Sequence, residues 1–461
     1  METKTQKNKA AQPITSQQKT VSSSPQESVA DAIEKIKEYG GFAFVENIID
    51  GYSNLNPKRK ARKNLFLNDD QWKGERKNLK NKLSVWLEIL KSSDQTDEMI
   101  DKAKEKSLKT EELLNFNLKS VLDKTKNLET AYRSTALFYK NTDRDKVKNI
   151  TILNADLDQV KDLENPLFID YVSNEIKQNF DRLDLRSNYS ILVIPGYLGS
   201  NAVLNKWSKI AYENKAVLLT DFQDLETPDD VIDMYANVDH SGQENYKSNT
   251  LMTCNWLLGR RKEDAVGEED DLCVPPSSAL AGKIYDTLMS QVVAGKKFGG
   301  INEVESVRFD LKKSEISEIE KLGLVPMVNE YSKVMAFSAK TLFNGDNLGL
   351  QTYSVVRVFD HITKVLFDFL NRRAFENWNS RTEADLRRQI VKFLDDIQGP
   401  TKLIERFRVM KIEQDQTQKD RVLLDIHITP YFPSKSFVIQ LDGHKGDGPE
   451  DAVWHSEYKQ E

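Results

Sequence analysis

Three landmarks stand in a fixed order in the second half of the chain, and they constrain the fold more than any other feature. They are a loop-to-helix turn at Val274–Gly282 (VPPSSALAG), two short apolar runs at 324–327 and 333–338 that lead into 339–342, and an amphipathic helix at 353–373 that runs on to Phe375 and Trp378. Short apolar runs between helical stretches are typical of an α/β domain. The order therefore predicts buried strands enclosed by helices, and a long helix that opens the last part of the chain.

Length and charge limit the function classes. The chain has 461 residues, which is enough for two to four domains with real hydrophobic cores. Its formal net charge is −6, so no excess of lysine and arginine is available to neutralise phosphates. We therefore do not expect nucleic acid as the main partner.

Cysteine usage and hydropathy point to the cytoplasm. The two cysteines, Cys254 and Cys273, match no metal or redox spacing and are interpreted as reduced structural thiols. No apolar run approaches the ~18 residues that span a bilayer. The first residues lack the apolar core of a secretory signal. We expect a cytoplasmic protein without direct membrane insertion.

Composition and periodicity divide the chain into five parts. The predicted parts are a disordered tail (1–24), an amphipathic helix (25–41), a mainly helical domain (42–186), an α/β domain (187–350) and a C-terminal domain that ends in β-strands (351–461). In the helical domain, one face of a long helix carries apolar residues and a threonine: Leu114, Leu118, Val121, Leu122, Thr125 and Leu128. A basic run at 56–63 is interpreted as a solvated face or a subunit contact, because the whole chain is acidic.

The helix predicted at 25–41 begins with a capping box at Ser24–Glu27. Val29, Ile33 and Ile36 follow at helical spacing, and two glycines end the segment. This pattern fits a short helix on a flexible tether. A helix packed on its own domain is an equally good interpretation.

Candidate chemistry in the α/β domain is centred on Pro195–Ser200 (PGYLGS). These residues follow a predicted strand at 190–194 and open a helix, where a phosphate-binding loop would lie. The run lacks the lysine of a P-loop and the third glycine of a dinucleotide fingerprint, and no nucleophile elbow surrounds Ser200. A tight strand-to-helix turn is the favoured interpretation, and a second buried strand is predicted at 216–219.

The C-terminal part is predicted to contain a helix and two strands. A capping box at Ser380–Glu383 opens a helix whose apolar face carries Leu386, Ile390, Phe393, Leu394 and Ile397. Period-2 alternation predicts two strands, one with Leu424, Ile426 and Ile428 and one with Phe437, Ile439 and Leu441. Three histidines in this part, His427, His444 and His455, have no zinc-site spacing, so no metal site is expected.

These landmarks together resemble the large sheath subunit of bacterial type VI secretion systems (TssC, also called VipB) and, more broadly, contractile tail sheath proteins. The resemblance rests on the turn at Val274–Gly282, the run at 339–342, the helix that ends in Arg372 and Arg373, and a strand that ends in a Pro-Tyr-Phe turn at 430–432. It covers roughly residues 160 to 445. It implies a mixed α/β sheath-like core with a helical N-terminal region and C-terminal strands for intersubunit sheets.

The resemblance also implies a structural, non-enzymatic role without a cofactor. The implied partners are a small sheath subunit (TssB-like), an inner tube of hexameric rings (Hcp-like), a baseplate, an AAA+ unfoldase and further copies in a six-fold helical sheath. Two other functions remain open at this point. One is the sheath of a phage tail or extracellular contractile injection system, and the other is a cytosolic α/β enzyme that uses 195–200 on a phosphate-bearing substrate.

Taken with these patterns, the resemblance implies three sets of contact residues. Val29, Ile33 and Ile36 are predicted to be the unfoldase handle, and the six alternating residues of the two C-terminal strands are predicted to form intersubunit strands. The outward charged residues of the helix at 381–397 are predicted to face the tube: Arg387, Arg388, Lys392, Asp395 and Asp396.

Overall fold

The computed structural model describes residues 65–143, 145, 147, 149–238, 240–435, 437–444 and 453–459. The chain divides into two compact units, Met1–Asn117 and Leu118–Glu461. The predicted helix at 25–41 and the basic run at 56–63 lie outside the described residues. The predicted limits at 186 and 350 stay predictions.

The described part of the first unit is helical. Helix α1 is Lys73–Leu90 and helix α2 is Thr96–Lys140, which continues into the second unit. The two helices are linked by an ion pair from Lys106 to Glu88 (2.6 Å) and by a hydrogen bond from Lys102 Nζ to the Ser92 carbonyl (2.7 Å). A short connection of this kind makes α1 and the start of α2 antiparallel neighbours.

The second unit alternates helices and strands as far as Ala336. After it come three helices in succession and then four strands. Its helices after α2 are α3 (Leu157–Lys161), α4 (Leu167–Phe180), α5 (Asn201–Glu213), α6 (Pro228–Val238), α7 (Ser277–Asp286), α8 (Gly295–Phe298), α9 (Lys313–Lys321), α10 (Leu348–Gln351), α11 (Tyr353–Arg372) and α12 (Ser380–Ile397). Its strands are β1 (Ile191–Tyr197), β2 (Val217–Asp221), β3 (Thr250–Cys254), β4 (Leu257–Arg260), β5 (Leu272–Val274), β6 (Leu324–Glu330), β7 (Lys333–Ala336), β8 (Ile404–Gln414), β9 (Val422–Pro430), β10 (Val438–His444) and β11 (Val453–Lys459).

A five-stranded sheet forms the centre of this unit. Its order is β1-β2-β3-β6-β7, with parallel pairs up to β6 and an antiparallel β6–β7 hairpin at the edge. Alternate residues of β2 enter different cores: Leu218 packs with α4, α5 and α6, whereas Val217 and Leu219 pack with α7. Helices therefore cover both faces, as the buried apolar runs of a parallel sheet require.

The two predicted strands are present with shifted ends. Strand β1 begins one residue later than predicted and continues through Pro195 to Tyr197, where its register with β2 shifts. A proline lacks the N–H that a central strand would donate, but β1 is an edge strand of the sheet and tolerates it.

A buried carboxylate joins the motifs at the carboxyl end of this sheet. Asp221, at the end of β2, is fully buried and accepts hydrogen bonds from the Gly196 N–H (2.8 Å), the Ser277 N–H (2.8 Å) and the Ser277 hydroxyl (2.6 Å). The Thr253 hydroxyl also donates to it. Burial raises the pKa of Asp221, and the four hydrogen bonds oppose that shift. The loop after β1, the end of β3 and the start of α7 are thereby tied to one group.

Helix α7 approaches helix α2 closely because its contact face is made of small residues. A Cβ at Gly282 would lie 2.4 Å from the Phe138 carbonyl oxygen of α2. Ala279 and Ala281 on the same helix are fully buried. The small residues of the VPPSSALAG turn therefore serve helix packing.

Helix α11 joins the sheet domain to the C-terminal region. Its first turns lie in the sheet domain, where the Tyr353 hydroxyl accepts from the Val293 N–H (2.6 Å) and Asp360 accepts from the Asn249 amide (2.7 Å). Its Val358 and Ile362 belong to a third core with α12, β8 and β9.

Helix α11 also buries two cations. Burial lowers the pKa of Arg357 to about 10 and that of Lys364 to about 8. The Arg357 guanidinium donates to the Ile284 carbonyl at the end of α7 (3.0 Å), and Lys364 Nζ donates to the Tyr189 carbonyl (2.8 Å). Both cations thus bond to backbone of neighbouring segments.

Candidate subunit-contact surfaces

The C-terminal strands form two separate hairpins. Strands β8 and β9 pair antiparallel, and so do β10 and β11. Within the part of the chain that the structure describes, neither hairpin has a third strand. Two-stranded sheets are marginal in water, and their open edges can pair with another chain.

The first predicted strand packs on its own domain. Leu424, Ile426 and Ile428 of β9 lie against the third core, which includes buried Ile404 and Ile412 of β8. Their side chains therefore hold the hairpin in place, and the outer edge of β9 is what the hairpin offers to another chain. Strand β8 itself was not predicted.

The second predicted strand is more exposed. Phe437 precedes β10 and is 58% exposed, and Ile439 within β10 is 47% exposed. Leu441 pairs with Ser456 in the backbone register of β10 and β11. Large apolar side chains left in water on a two-stranded sheet are typical of a surface that another protein covers.

Helix α12 presents a charged face. Leu386, Ile390 and Leu394 are buried, and the predicted tube-facing residues lie on the other side, with Arg387 half-buried and the remaining four exposed: Arg388, Lys392, Asp395 and Asp396. The predicted start of this helix is wrong by one residue. The capping side chain is Asn379, which accepts from the Arg381 and Thr382 N–H groups (both 3.0 Å), and Ser380 is the first helical residue.

The turn between α11 and α12 holds an aromatic side chain in water. Phe375 has a relative exposure of 105% and a backbone φ of +69°. A left-handed conformation at a residue other than glycine costs about 1–3 kcal/mol. The turn is braced by Arg373, which donates to Glu376 (2.5 and 2.7 Å) and to Asp385 of α12 (2.9 Å). The sequence predicted that the helix would run on to Phe375 and Trp378, and this extension is wrong because the helix ends at Arg372.

Helix α2 carries an exposed apolar seam, defined as Leu118, Val121, Thr125, Leu128 and Tyr132. The spacings alternate between three and four residues, which is the pattern of a coiled-coil contact face. Leu128 and Tyr132 are 71% and 72% exposed. The face predicted from the sequence also included Leu114 and Leu122. Of its six residues, Leu122 and Thr125 are half-buried and the other four are exposed.

Ion pairs fix the neighbouring side of α2. Arg260 of β4 binds Glu129 (3.1 Å) and Glu268 (2.6 Å), and Arg133 donates to the Gly259 carbonyl (2.9 Å). The hydrogen bonds from Arg260 lower the pKa of Glu268 to about 2. The acidic stretch at 259–271 is thereby anchored to α2, which keeps the seam in a fixed orientation.

Comparison with known families decides the identity. Three family models match consecutive parts of the chain: the TssC/VipB-like N-terminal region at 29–118, the type VI secretion system TssC/VipB central domain at 120–344, and the TssC/VipB-like C-terminal domain at 352–460. The chain belongs to the TssC/VipB family. It is a contractile sheath subunit, and its assignment to type VI secretion comes from the family models.

Solved structures similar to this TssC/VipB chain come from contractile assemblies. The anti-feeding prophage helical sheath in the contracted state is 15% identical, with a TM-score of 0.45. The match covers 66% of this chain and 79% of the prophage chain. The sheath tail protein from Desulfitobacterium hafniense is 13% identical over 64% of this chain and 60% of its own, with a TM-score of 0.40.

A chain of the anti-feeding prophage baseplate is 15% identical over 51% of this chain, with a TM-score of 0.39, and this chain spans 62% of that chain's length. The comparison with curated proteins found no match.

The groups that suggested enzyme chemistry are engaged in the fold of this TssC/VipB chain. The Ser200 hydroxyl caps α5 by accepting from the Val203 N–H (3.3 Å), and the Gly196 N–H is bound to Asp221. Pro195–Ser200 is therefore a structured strand-to-helix turn, as the sequence favoured. The TssC/VipB family is one of structural sheath proteins.

The cysteines and histidines can be placed as well. Cys254 and Cys273 are both buried free thiols, and burial raises the pKa of Cys273 to about 11. His427 lies opposite Arg408 in the β8–β9 register, and His455 lies opposite Asp442 in the β10–β11 register. Among the described residues no group of three or more ligating side chains could hold a metal ion. No helix in the described ranges combines the length and apolarity needed to cross a membrane.

Proposed function

We propose that this chain is the large subunit of a six-fold type VI secretion sheath that pairs with a small TssB-like subunit and surrounds an inner tube of Hcp-like rings. The sheath assembles in the cytoplasm on a membrane-anchored baseplate, contracts to drive the tube outward, and is recycled by an AAA+ unfoldase. The observation that carries this proposal is the match of three TssC/VipB models in order along 29–460. Contraction is then a shift between two packings of the same subunits, and it needs no cofactor in this chain.

The decisive experiment is electron microscopy of the chain co-expressed with a small TssB-like sheath subunit. Tubular sheaths that require both proteins are the expected result. Tubes formed by this chain alone would instead favour a phage-tail or extracellular injection sheath, which is more often built from one type of subunit. A soluble monomer that binds nucleotide would favour the phosphate-substrate enzyme.

The α2 seam is the surface we assign to the small subunit. Exposed side chains at alternating three- and four-residue spacing are suited to a helix supplied by another protein. Changing Leu118, Val121 and Leu128 to Ser should stop the small subunit from co-purifying with this chain. Asp123→Ser with Asn127→Ser is the matched control, since both residues are exposed on the same helix outside the seam.

The C-terminal hairpins are assigned to contacts between neighbouring sheath subunits. Strand pairing preserves backbone hydrogen bonds while subunits move as rigid bodies, so the free edges of β9 and the β10–β11 hairpin can connect neighbours in both states. Because β9 also packs on its own core, two truncations are needed. Removal of 433–461 should leave a folded chain that forms no sheath, whereas removal of 422–461 should also destabilise the third core. Sheaths of normal length from the shorter truncation would refute the assignment.

The charged face of α12 is assigned to the tube. Exposed ion pairs are each worth only ~0.2–1 kcal/mol, so many repeated pairs can align a sheath on its tube and still release it on contraction. If Arg387, Arg388 and Lys392 are all changed to Glu, we expect sheaths that are empty or that no longer assemble on tubes. Lys296→Glu with Lys297→Glu, which reverses exposed charges on α8, is the control. Tube-filled sheaths from the α12 variant would show the assignment to be wrong.

Val29, Ile33 and Ile36 are assigned to the unfoldase, on the sequence pattern of a capped helix behind a polar tail. Changing all three to Ser should leave sheath assembly intact and leave contracted sheaths undissolved when the cognate ATPase is added. Equal disassembly rates for variant and parent would contradict this role.

A further inference from the structure

The turn that carries Phe375 combines an exposed aromatic side chain with a strained backbone conformation. The aromatic ring is fully exposed, so it contributes no burial to the folded subunit. Its backbone has a φ of +69°, which glycine adopts without strain and phenylalanine does not. Three hydrogen bonds from Arg373 hold the turn in this shape against Glu376 and against Asp385 of α12. A strained, rigid and exposed aromatic residue is characteristic of an anchor that enters a partner's surface.

A complementary surface lies on helix α4 of the same chain. Leu167 and Tyr171 are one turn apart on the outer side of this helix and are 73% and 58% exposed. The inner side of α4, which carries Ile169, Val172 and Ile176, is buried in the core of the sheet domain. The exposed pair, called the Leu167 stripe below, is thus held on a rigid element and is uncovered in the single chain.

The two surfaces carry opposite charge. Arg372 and Arg381 are exposed on either side of the Phe375 turn, and Arg372 also pairs with Asp368 of α11 (2.8 Å). Between residues 155 and 175 there are six carboxylates and one lysine, and Glu164 and Asp170 flank the Leu167 stripe. Complementary charges around an apolar centre favour encounter in one orientation.

We propose that the Phe375 turn of one copy docks onto the Leu167 stripe of a neighbouring copy of this chain. The two surfaces are different patches of one subunit, so each copy can offer both at once. Contacts of this heterologous kind join subunits head to tail and, when the rotation does not close a ring, extend into helical assemblies. The proposal rests on the sheath function above and names one contact by which sheath subunits join.

The first test separates this role from a structural one. Phe375→Gly removes the ring and the backbone strain together, so the thermal unfolding midpoint of the purified subunit should rise. Sheath formation should fall at least tenfold in the same variant. A residue that merely supports the fold would lower the midpoint instead. Phe367→Ala is the matched control, because Phe367 is also more than half exposed but lies within regular α11, and it should leave assembly unchanged.

The second test is a charge exchange. Arg372→Glu with Arg381→Glu should reduce sheath formation, and so should Glu164→Lys with Asp170→Lys. Combining all four changes in one chain should restore sheaths, since the attraction is then reversed on both sides. Failure of the fourfold variant to recover any assembly, with each pair folded as the parent is, would overturn the proposal.

The readouts distinguish this proposal from the function it rests on. If the parent forms no sheath with the small subunit, the sheath proposal fails. If the parent forms sheaths and Phe375→Gly forms them equally well, only the Phe375 contact is refuted. Normal sheaths that lack a tube would place Phe375 on the tube, and loss of the co-purifying small subunit would place it on that subunit. Either result would overturn docking between copies.

Discussion

The five-stranded sheet and the two C-terminal hairpins are built from similar strand-forming residues under opposite conditions. Every strand of the sheet lies between helices, and Val217, Leu219 and Leu251 are almost completely buried. Strand β9 covers the third core with one face only, and Phe437 and Ile439 are left in water. The sheet domain is complete in one chain, whereas the hairpins have surface that further chains would cover. Substitutions should therefore change folding in the sheet domain and assembly in the hairpins.

The largest expected effect is at the buried carboxylate of the sheet domain. Asp221→Ala removes the acceptor for three segments and leaves the Gly196 and Ser277 N–H groups unsatisfied. Each buried donor left without an acceptor costs about 1–3 kcal/mol, so the two N–H groups together should lower the free energy of unfolding by several kcal/mol. Urea denaturation should show this loss, whereas Asp264→Ala, at an exposed residue, should leave the midpoint unchanged. If the free energy of unfolding falls by less than one ordinary hydrogen bond contributes, Asp221 does not hold these three segments together.

A smaller loss in the free energy of unfolding is expected from a substitution where α7 packs against α2. Gly282→Ala places a methyl group against the Phe138 carbonyl, so the helices must separate, at a cost of about 1–3 kcal/mol. The matched control is Gly74→Ala in α1, where nothing lies within 4 Å of the new methyl group. The control should leave the free energy of unfolding unchanged or raise it. Equal effects at the two glycines would show that the close helix approach is not required.

The anchored loop at 259–271 should give a pH-dependent change in the free energy of unfolding of about 1 kcal/mol, the upper end of what one ion pair near the surface contributes. The pKa of Glu268 falls from 4.5 to about 2 because Arg260 donates to it. A lowered carboxyl pKa contributes stability that is fully present above pH 4.5 and is lost as pH falls towards 2. Glu268→Gln should thus be less stable than the parent near neutral pH and equal to it near pH 2. A difference that stays constant with pH would contradict this account.

The smallest effect on folding is expected in the hairpins. Phe437→Ser alters an exposed side chain, so the free energy of unfolding should change by less than about 0.5 kcal/mol while sheath formation falls. Ile412→Ser, at a buried position of β8, should instead destabilise the third core. If Phe437→Ser unfolds the subunit, the division between a complete sheet domain and incomplete hairpins is wrong.

The sequence predicted elements where one physical pattern dominates. Helix α11 and the apolar face of α12 were predicted because apolar side chains recur at helical spacing on one side. Strand β8 was missed because two bulges, near Arg406 and Lys411, break its period-2 alternation. Its apolar residues then fall at uneven spacing, which resembles neither a strand nor a helix.

The contact surfaces were predictable only in part. The α2 seam follows from spacing, since the three-and-four pattern can be read directly from the residues. Asp221 was missed because a single aspartate after an apolar run has the same sequence context whether it is buried or exposed. Phe375 was predicted to continue helix α11, and its turn conformation was not predicted because phenylalanine is not a residue that indicates a left-handed turn.

Helix α11 is a stiff link between two cores of the second unit. Its twenty residues span ~30 Å at 1.5 Å per residue, from the core of the sheet domain to the core under the β8–β9 hairpin. Within α11 the structure shows no glycine, proline or helix break at which the helix could bend. This link between the two cores is therefore not expected to store energy by bending. We expect the energy released in contraction to be held where one subunit touches the next, so that changing an interface would retune the force of the stroke without refolding a single chain.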